Sequence, residues 1–509
     1  MQMKCDYALD SADLNTSLSL SQTCFDLGHR EDFDIMIRAD YLYCAATSLM
    51  GVLSKEENES IKEQIYERCF YLYRTAKDLC LMEYEEIEIL SKETYILFKA
   101  HIDGLILQIG VNYGNILSQC GRYVKSINNL NEILDMEFPM AIGNLALKIV
   151  DYSYYDKSNH EIMLYYAFQL LRKVLDEKVS YPEREYAQSL FYNYSNRIKN
   201  YICSDYLEQE LSLTEYLNPI ENMSDEEKKY RTWIGNNGLA LNQLNDVFFE
   251  MQVGYDPLHL PTMIENIEDS RFPKYHGIFN QIKQEYASAR FWAYEGLTDR
   301  NTHFSDKEVF LVNTLDYPIY GIGIEKVKAA YRSIYSIFDK IAYFLNKYFK
   351  LKIPDGTISF VNLWYKDVRK NKRREEIQKI LQENYALNGL WWIYKDLRNK
   401  TVYEDKHIDP LLKKISNVRN AMEHRYLKIL DYYEDGLNNN DERFDEFAYN
   451  ISFQEFEKLT VELLKLTRES IIQLTMIIEI EESKKKVNKD SNQLLGQLFL
   501  SKFHDKWKG

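Results

Sequence analysis

The chain has 509 residues, of which 45% are hydrophobic and 28% charged, with a formal net charge of −15. That balance excludes a disordered chain, and the length suggests about three folded units. The acidic charge excludes a bulk nucleic-acid coat, which needs a dominant basic field, so any nucleic-acid contact has to come from a local basic patch. Only 19 Gly and 9 Pro occur, a scarcity of breakers that favours long helices over a many-turned β architecture.

All seven cysteines lie between Cys5 and Cys203, with no CxxC pair and no HExxH string among the scattered histidines. The sequence therefore offers no disulfide framework, no metal centre and no cofactor site. The first residues lack the apolar stretch of a secretory signal, and no apolar run approaches the roughly 18 residues of a membrane span. These features fit reduced thiols in a cytoplasmic protein with no membrane partner.

Residues 1–300 read as a string of amphipathic helices, with apolar residues every three or four positions. Within it, "VNYGNILSQCGRYVKSINNLNEILDMEFP" is more specific. Gly114, Gly121, Tyr123, Leu130, Ile133 and Pro139 fall nearly where a tetratricopeptide repeat places its small, aromatic and proline positions. A weaker second copy starts near Ala141. The expectation is a TPR-like sensor region offering a concave surface to a protein partner or activator.

The texture changes at residues 301–325, read as a linker with a strand-like run from Val309 to Val312 and a Pro/Gly turn. Residues 326–485 read as a four- or five-helix bundle, and 486–509 as a polar tail with an apolar patch from Leu494 to Phe503. The bundle's first helix carries Ile334, Ile337, Phe338, Ile341, Phe344, Leu345 and Tyr348 in one stripe. After a loop with Pro354 and Gly356 come a basic stretch, "YKDVRKNKRREEIQK", and a helix containing Trp391 and Trp392. A fourth helix begins with Asp409 as N-cap and Pro410 at its first position. The fold class is all-α.

The fourth helix, expected to run on to Tyr433, has an unusual polar arrangement. With Ile415 at zero and about 100° per residue, Leu411, Val418, Met422, Tyr426 and Ile429 fall within about 60° of the buried direction. Asn420, His424 and Leu427 fall on the opposite side, and Arg419 lies at the stripe's edge, where its long stem could reach round. An apolar Leu427 on that wet face calls for a partner surface. An imidazole passes protons near neutral pH, and a guanidinium grips phosphate through two parallel N–H bonds. RNA brings its own nucleophile in the 2′-hydroxyl, so a base and a phosphate clamp suffice for its cleavage.

Arg419, Asn420 and His424 spell R-N-x-x-x-H, which resembles the signature of the HEPN superfamily. "YRSIYSIFDKIAYFLNKYF" likewise resembles the first helix of a HEPN subfamily that carries N-terminal TPR-like repeats. The resemblance spans about 310–485 and implies a metal-independent endoribonuclease that works as a homodimer, in phage defence or toxin-like growth arrest. By position, Arg419 would hold the scissile phosphate, His424 would transfer protons and Asn420 would orient the site. Lys370, Lys372, Arg373, Arg374 and Arg425 would supply RNA contacts, and Leu427 the dimer interface. His424-Arg425-Tyr426 also fits the H-x-Y spelling of HEPN toxins whose tyrosine is modified, although the wheel puts Tyr426 in the core.

Plainer readings stand beside these. Arg419 and Glu423 are spaced as a surface ion pair, and the 370–374 cations as a solvated helix face. Asp339 could orient Arg419 or cap a packing contact, and Trp391 and Trp392 fit a core. A rival reading of the whole is a non-catalytic protein whose repeats recruit a partner and whose bundle binds RNA or a nucleotide without cutting. The sequence does not specify the RNA target or the activating signal.

Overall fold

The computed structural model describes residues 14–53, 56–86, 92–181, 184–213, 223–248, 253–266, 273–397, 410–431, 445–487, 495–497 and 500–508. The chain divides into two compact units, with the change at Ser212/Leu213.

The first unit is built of α1 (Leu14–Gly28), α2 (Ile35–Leu53), α3 (Glu59–Glu86), α4 (Lys92–Gln119), α5 (Tyr123–Asn131), α6 (Pro139–Ser153), α7 (His160–Leu175), α8 (Arg184–Tyr201) and α9 (Ser204–Leu207). Each of α1 to α7 packs on the next, α9 packs on α7, and α2, α4, α6 and α8 also pack on each other in turn, which makes a stacked array of helical pairs. The positions singled out in the repeat-like segment have structural reasons. Gly121, at φ +89°, ends the α4 turn in the left-handed region. A Cβ at Gly114 would sit 2.9 Å from Leu130 Cγ, so the small residue lets α5 cross closely. Tyr123, Leu130 and Ile133 are buried, and Pro139 opens α6.

The second unit contains α10 (Asp225–Asn236), α11 (Leu244–Val247), β1 (Ile264–Asn266), α12 (Lys274–Thr298), α13 (Ile322–Tyr348), α14 (Phe360–Trp364), β2 (Tyr365–Asp367), β3 (Lys372–Arg373), α15 (Glu375–Glu383), α16 (Tyr385–Leu397), α17 (Pro410–His424), β4 (Leu427–Leu430), β5 (Tyr449–Ser452), α18 (Phe453–Val487) and β6 (Leu495–Gln497). The α13 stripe is realised: Ile334, Ile337, Phe338, Ile341, Phe344 and Leu345 are all buried. Trp391 and Trp392 lie in the core.

Three boundaries differ from the sequence reading. The unit boundary falls near 212 instead of 300, because α12 buries Phe279, Ile282, Tyr286, Ala289 and Ala293 and lies along α13. Gly296 permits that approach, since a Cβ there would lie 2.4 Å from the Gly323 carbonyl oxygen. The 309–312 run forms no strand; Val309, Phe310, Leu311 and Val312 are exposed, and only Pro318 bridges to Leu430 beyond them. The C-terminal segment is not only a polar tail: β6 pairs antiparallel with β1.

Candidate functional site

The fourth helix of the sequence reading is α17, and it stops at His424, short of the expected end at Tyr433. Pro410 is its first residue; Asp409, the expected N-cap, lies outside the described residues. Ile415, Val418 and Ala421 are buried, as is Leu412, so the apolar face is narrower than the wheel suggested and Leu411 and Met422 lie at its half-buried margin. After His424 the chain turns into β4, which pairs in parallel with β5 from Leu427↔Tyr449 to Leu430↔Ser452.

That early stop changes the surroundings of Tyr426, Leu427 and Ile429, because Leu427–Leu430 form a short strand whose four residues are all buried, with Tyr426 just before it. Leu427 is buried in β4 and does not offer an apolar contact to a second chain. Tyr426 is not a core residue: it is 41% exposed, with the Lys428 ammonium 5.4 Å over its ring. Ile429 is buried, as expected, but from a strand. On the same strand Lys428 has a buried ammonium that meets Asp316 at 2.5 Å and Asp445 at 3.1 Å. Burial alone would lower its pKa, but the two carboxylates push it well above the ordinary range.

Arg419, Asn420 and His424 all stand in the second half of α17. Asn420 and His424 are exposed and Arg419 is half-buried. Arg419 Nη1 donates to Asn420 Oδ1 at 3.2 Å, and its guanidinium stands 5.3 Å over the Tyr335 ring of α13. Stacking of this kind holds the guanidinium plane while leaving its edge directed elsewhere. Arg425 is exposed one residue beyond His424.

Glu423 does not pair with Arg419. Its Oε1 accepts from Arg332 Nε at 3.0 Å, and Arg332 Nη2 donates to the Met422 carbonyl, also at 3.0 Å. The Tyr331 hydroxyl donates to the buried Ile415 carbonyl at 2.8 Å. Thus Tyr331, Arg332 and Tyr335 of α13 hold α17 at its middle and its end. Sequence reasoning passed over these three because it followed the apolar stripe of α13; Arg332 and Tyr335, three apart on the polar edge beside it, were the available signal.

Asp339 serves the packing alternative: its Oδ1 accepts from the Phe360 amide at 2.8 Å, fixing the start of α14. The basic stretch is a hairpin, not a helix face. Asp367 Oδ1 accepts from the Arg369 and Lys370 amides, and Asn371 takes φ +52° to turn the chain. Lys370 and Lys372 are exposed on it. Arg373 instead stacks 4.4 Å over Trp391, and Arg374 Nε donates to the Asn362 carbonyl at 2.8 Å, so both arginines are committed to holding the hairpin.

Among the described residues no group of three or more His, Cys, Asp or Glu stands close enough to hold a metal ion. Nor is any described helix long and apolar enough to cross a membrane.

The described residues are mostly helical, and the chain is an all-α protein with a C-terminal HEPN domain. More particularly, residues 267–481 match the family model of LA2681-like HEPN, a span that begins just before α12 and closes within α18. No curated protein and no solved structure matches the chain.

Proposed function

We propose that the protein is a metal-independent endoribonuclease of the HEPN type, with Arg419, Asn420 and His424 as its catalytic set. The observation that supports this reading is a stacked guanidinium bonded to an amide, with an exposed imidazole further along the same helix, inside the region that matches the HEPN model. Arg419 binds the non-bridging oxygens of the scissile phosphate, and its bond to Asn420 sets the direction of the guanidinium. His424 takes the proton of the RNA 2′-hydroxyl as that oxygen attacks phosphorus. The P–O5′ bond breaks, the leaving 5′-oxygen is protonated, and the products are a 2′,3′-cyclic phosphate and a 5′-hydroxyl.

A homodimer would bring two such sets across one cleft, so that one imidazole accepts a proton while the other donates. Leu427 has no part in that interface; the exposed side of α17 around Asn420 and His424 takes its place. Lys370 and Lys372 extend the phosphate contacts, as does Arg425, and a protein partner or activator binds the N-terminal helical array. The biological setting that fits such an enzyme is phage defence or growth arrest in the cytoplasm.

The test incubates wild type and His424→Ala with total RNA in EDTA. Cleavage by wild type that vanishes in the variant supports the enzyme. RNA that stays intact, bound equally by both proteins, replaces it with a non-catalytic RNA-binding role. Sedimentation checks the pairing: a chain that is monomeric at every concentration yet fully active removes the composite cleft.

A further inference from the structure

We propose that Arg332 is a positioning residue for His424; its catalytic consequence rests on the ribonuclease reading above. A helix end leaves its last carbonyls without intrahelical partners. At the end of α17 the Arg425 amide still reaches the Ala421 carbonyl at 3.1 Å, but the chain then departs, and the Tyr426 carbonyl accepts from the Tyr449 amide at 2.7 Å as β4 begins. The carbonyl of Met422 is taken by Arg332 Nη2 at 3.0 Å, while Nε of the same guanidinium holds Glu423 Oε1 at 3.0 Å.

One rigid plane therefore grips two consecutive residues, and the next residue in the chain is His424. An exposed ion pair by itself contributes little. What distinguishes this contact is its second bond, to backbone, made by a fork whose two donors are fixed relative to each other. Arg332 stands on α13, which is anchored to the same helix through Tyr331 and carries Tyr335 beneath Arg419. Through these neighbours α13 holds α17 on both sides of the proposed set, at Ile415 and at Met422 and Glu423, so that the last turn before His424 is fixed where it would otherwise fray. The last turn is where helices loosen first, and a phosphate bound between Arg419 and His424 tolerates little error.

The experiment uses the full chain with isotope-labelled histidine. Arg332→Ala is expected to lower kcat about 10- to 100-fold with KM unchanged, as a small misplacement of a reacting group does. It is also expected to move the His424 ring resonance. Arg332→Lys, a point charge that can make only one of the two contacts, recovers part of both. Lys326→Ala, which removes another surface cation of α13 paired with Glu295, changes neither. Should Arg332→Ala fold poorly, Glu423→Ala, which removes one of the two contacts from the other side, is read in its place. An unmoved His424 resonance and an unchanged kcat in a folded Arg332→Ala protein overturn the proposal. If wild type cleaves no RNA, the ribonuclease reading fails on that result, while the resonance alone still decides whether Arg332 positions His424.

Discussion

Two arginines of the second unit show opposite uses of the same side chain. Arg468, on α18, is buried with its partner Asp246; the pair meets at 2.6 and 3.0 Å, and Nη2 and Nε also donate to the carbonyls of Asn242 and Ala240. Arg419, on α17, is half-buried, with one hydrogen bond to a neighbouring amide and one aromatic ring beneath it. A buried cation must be fully paired, because the protein has taken away its water. A cation meant for a phosphate must keep donors on the wet side. The difference teaches that burial and pairing, more than residue type, separate an arginine that holds this fold from one that keeps donors toward solvent.

The comparison breaks first at His424. His424→Ala is expected to reduce RNA cleavage by about 10²- to 10⁴-fold, with the thermal unfolding midpoint unchanged, since the side chain is exposed. Activity assays paired with calorimetry check both halves. On the buried side, Arg468→Met leaves Asp246 uncompensated and is expected to cost about 3–5 kcal/mol, read as a lower urea midpoint.

The Arg290–Asp256 pair gives the pH test. Burial raises the Asp256 carboxyl's pKa, but the guanidinium at 2.6 Å outweighs it, and the net value lies below the ordinary 3.8. A carboxylate held low in the folded state stabilises the protein above its unfolded pKa, and that stability is lost as pH falls through the folded value. The unfolding midpoint should therefore drop below about pH 4, and Asp256→Asn should flatten that acid limb while lowering the plateau. The smallest effect sharpens the ligand side: Lys370→Gln and Lys372→Gln should each reduce the salt slope of RNA binding by about 1, leaving stability unchanged.

Much of the fold was legible because helices advertise themselves. The stripe from Ile334 to Leu345, the Gly114–Leu130 crossing and the Pro410 start all follow from local spacing. What escaped depended on distant partners. Nothing near Lys428 announces that Asp316, 112 positions earlier, will pair with its buried ammonium, or that the chain after His424 will form a strand. The same strand removed Leu427 from the surface and put Tyr426 on it. The domain boundary was missed because α12 has the amphipathic texture of the helices before it, and only its packing on α13 assigns it to the second unit. Arg419, Asn420 and His424, the proposed set, were singled out by their spacing on one helix, but Arg332 and Tyr335 meet α17 across helices, and no local pattern pairs them with it.

The chemistry of the RNA ends is the most direct test of the central claim. Wild-type protein in EDTA should yield fragments with 2′,3′-cyclic phosphate and 5′-hydroxyl ends, and His424→Ala none. Intact RNA, 5′-phosphate ends, or undiminished cleavage by His424→Ala would contradict it.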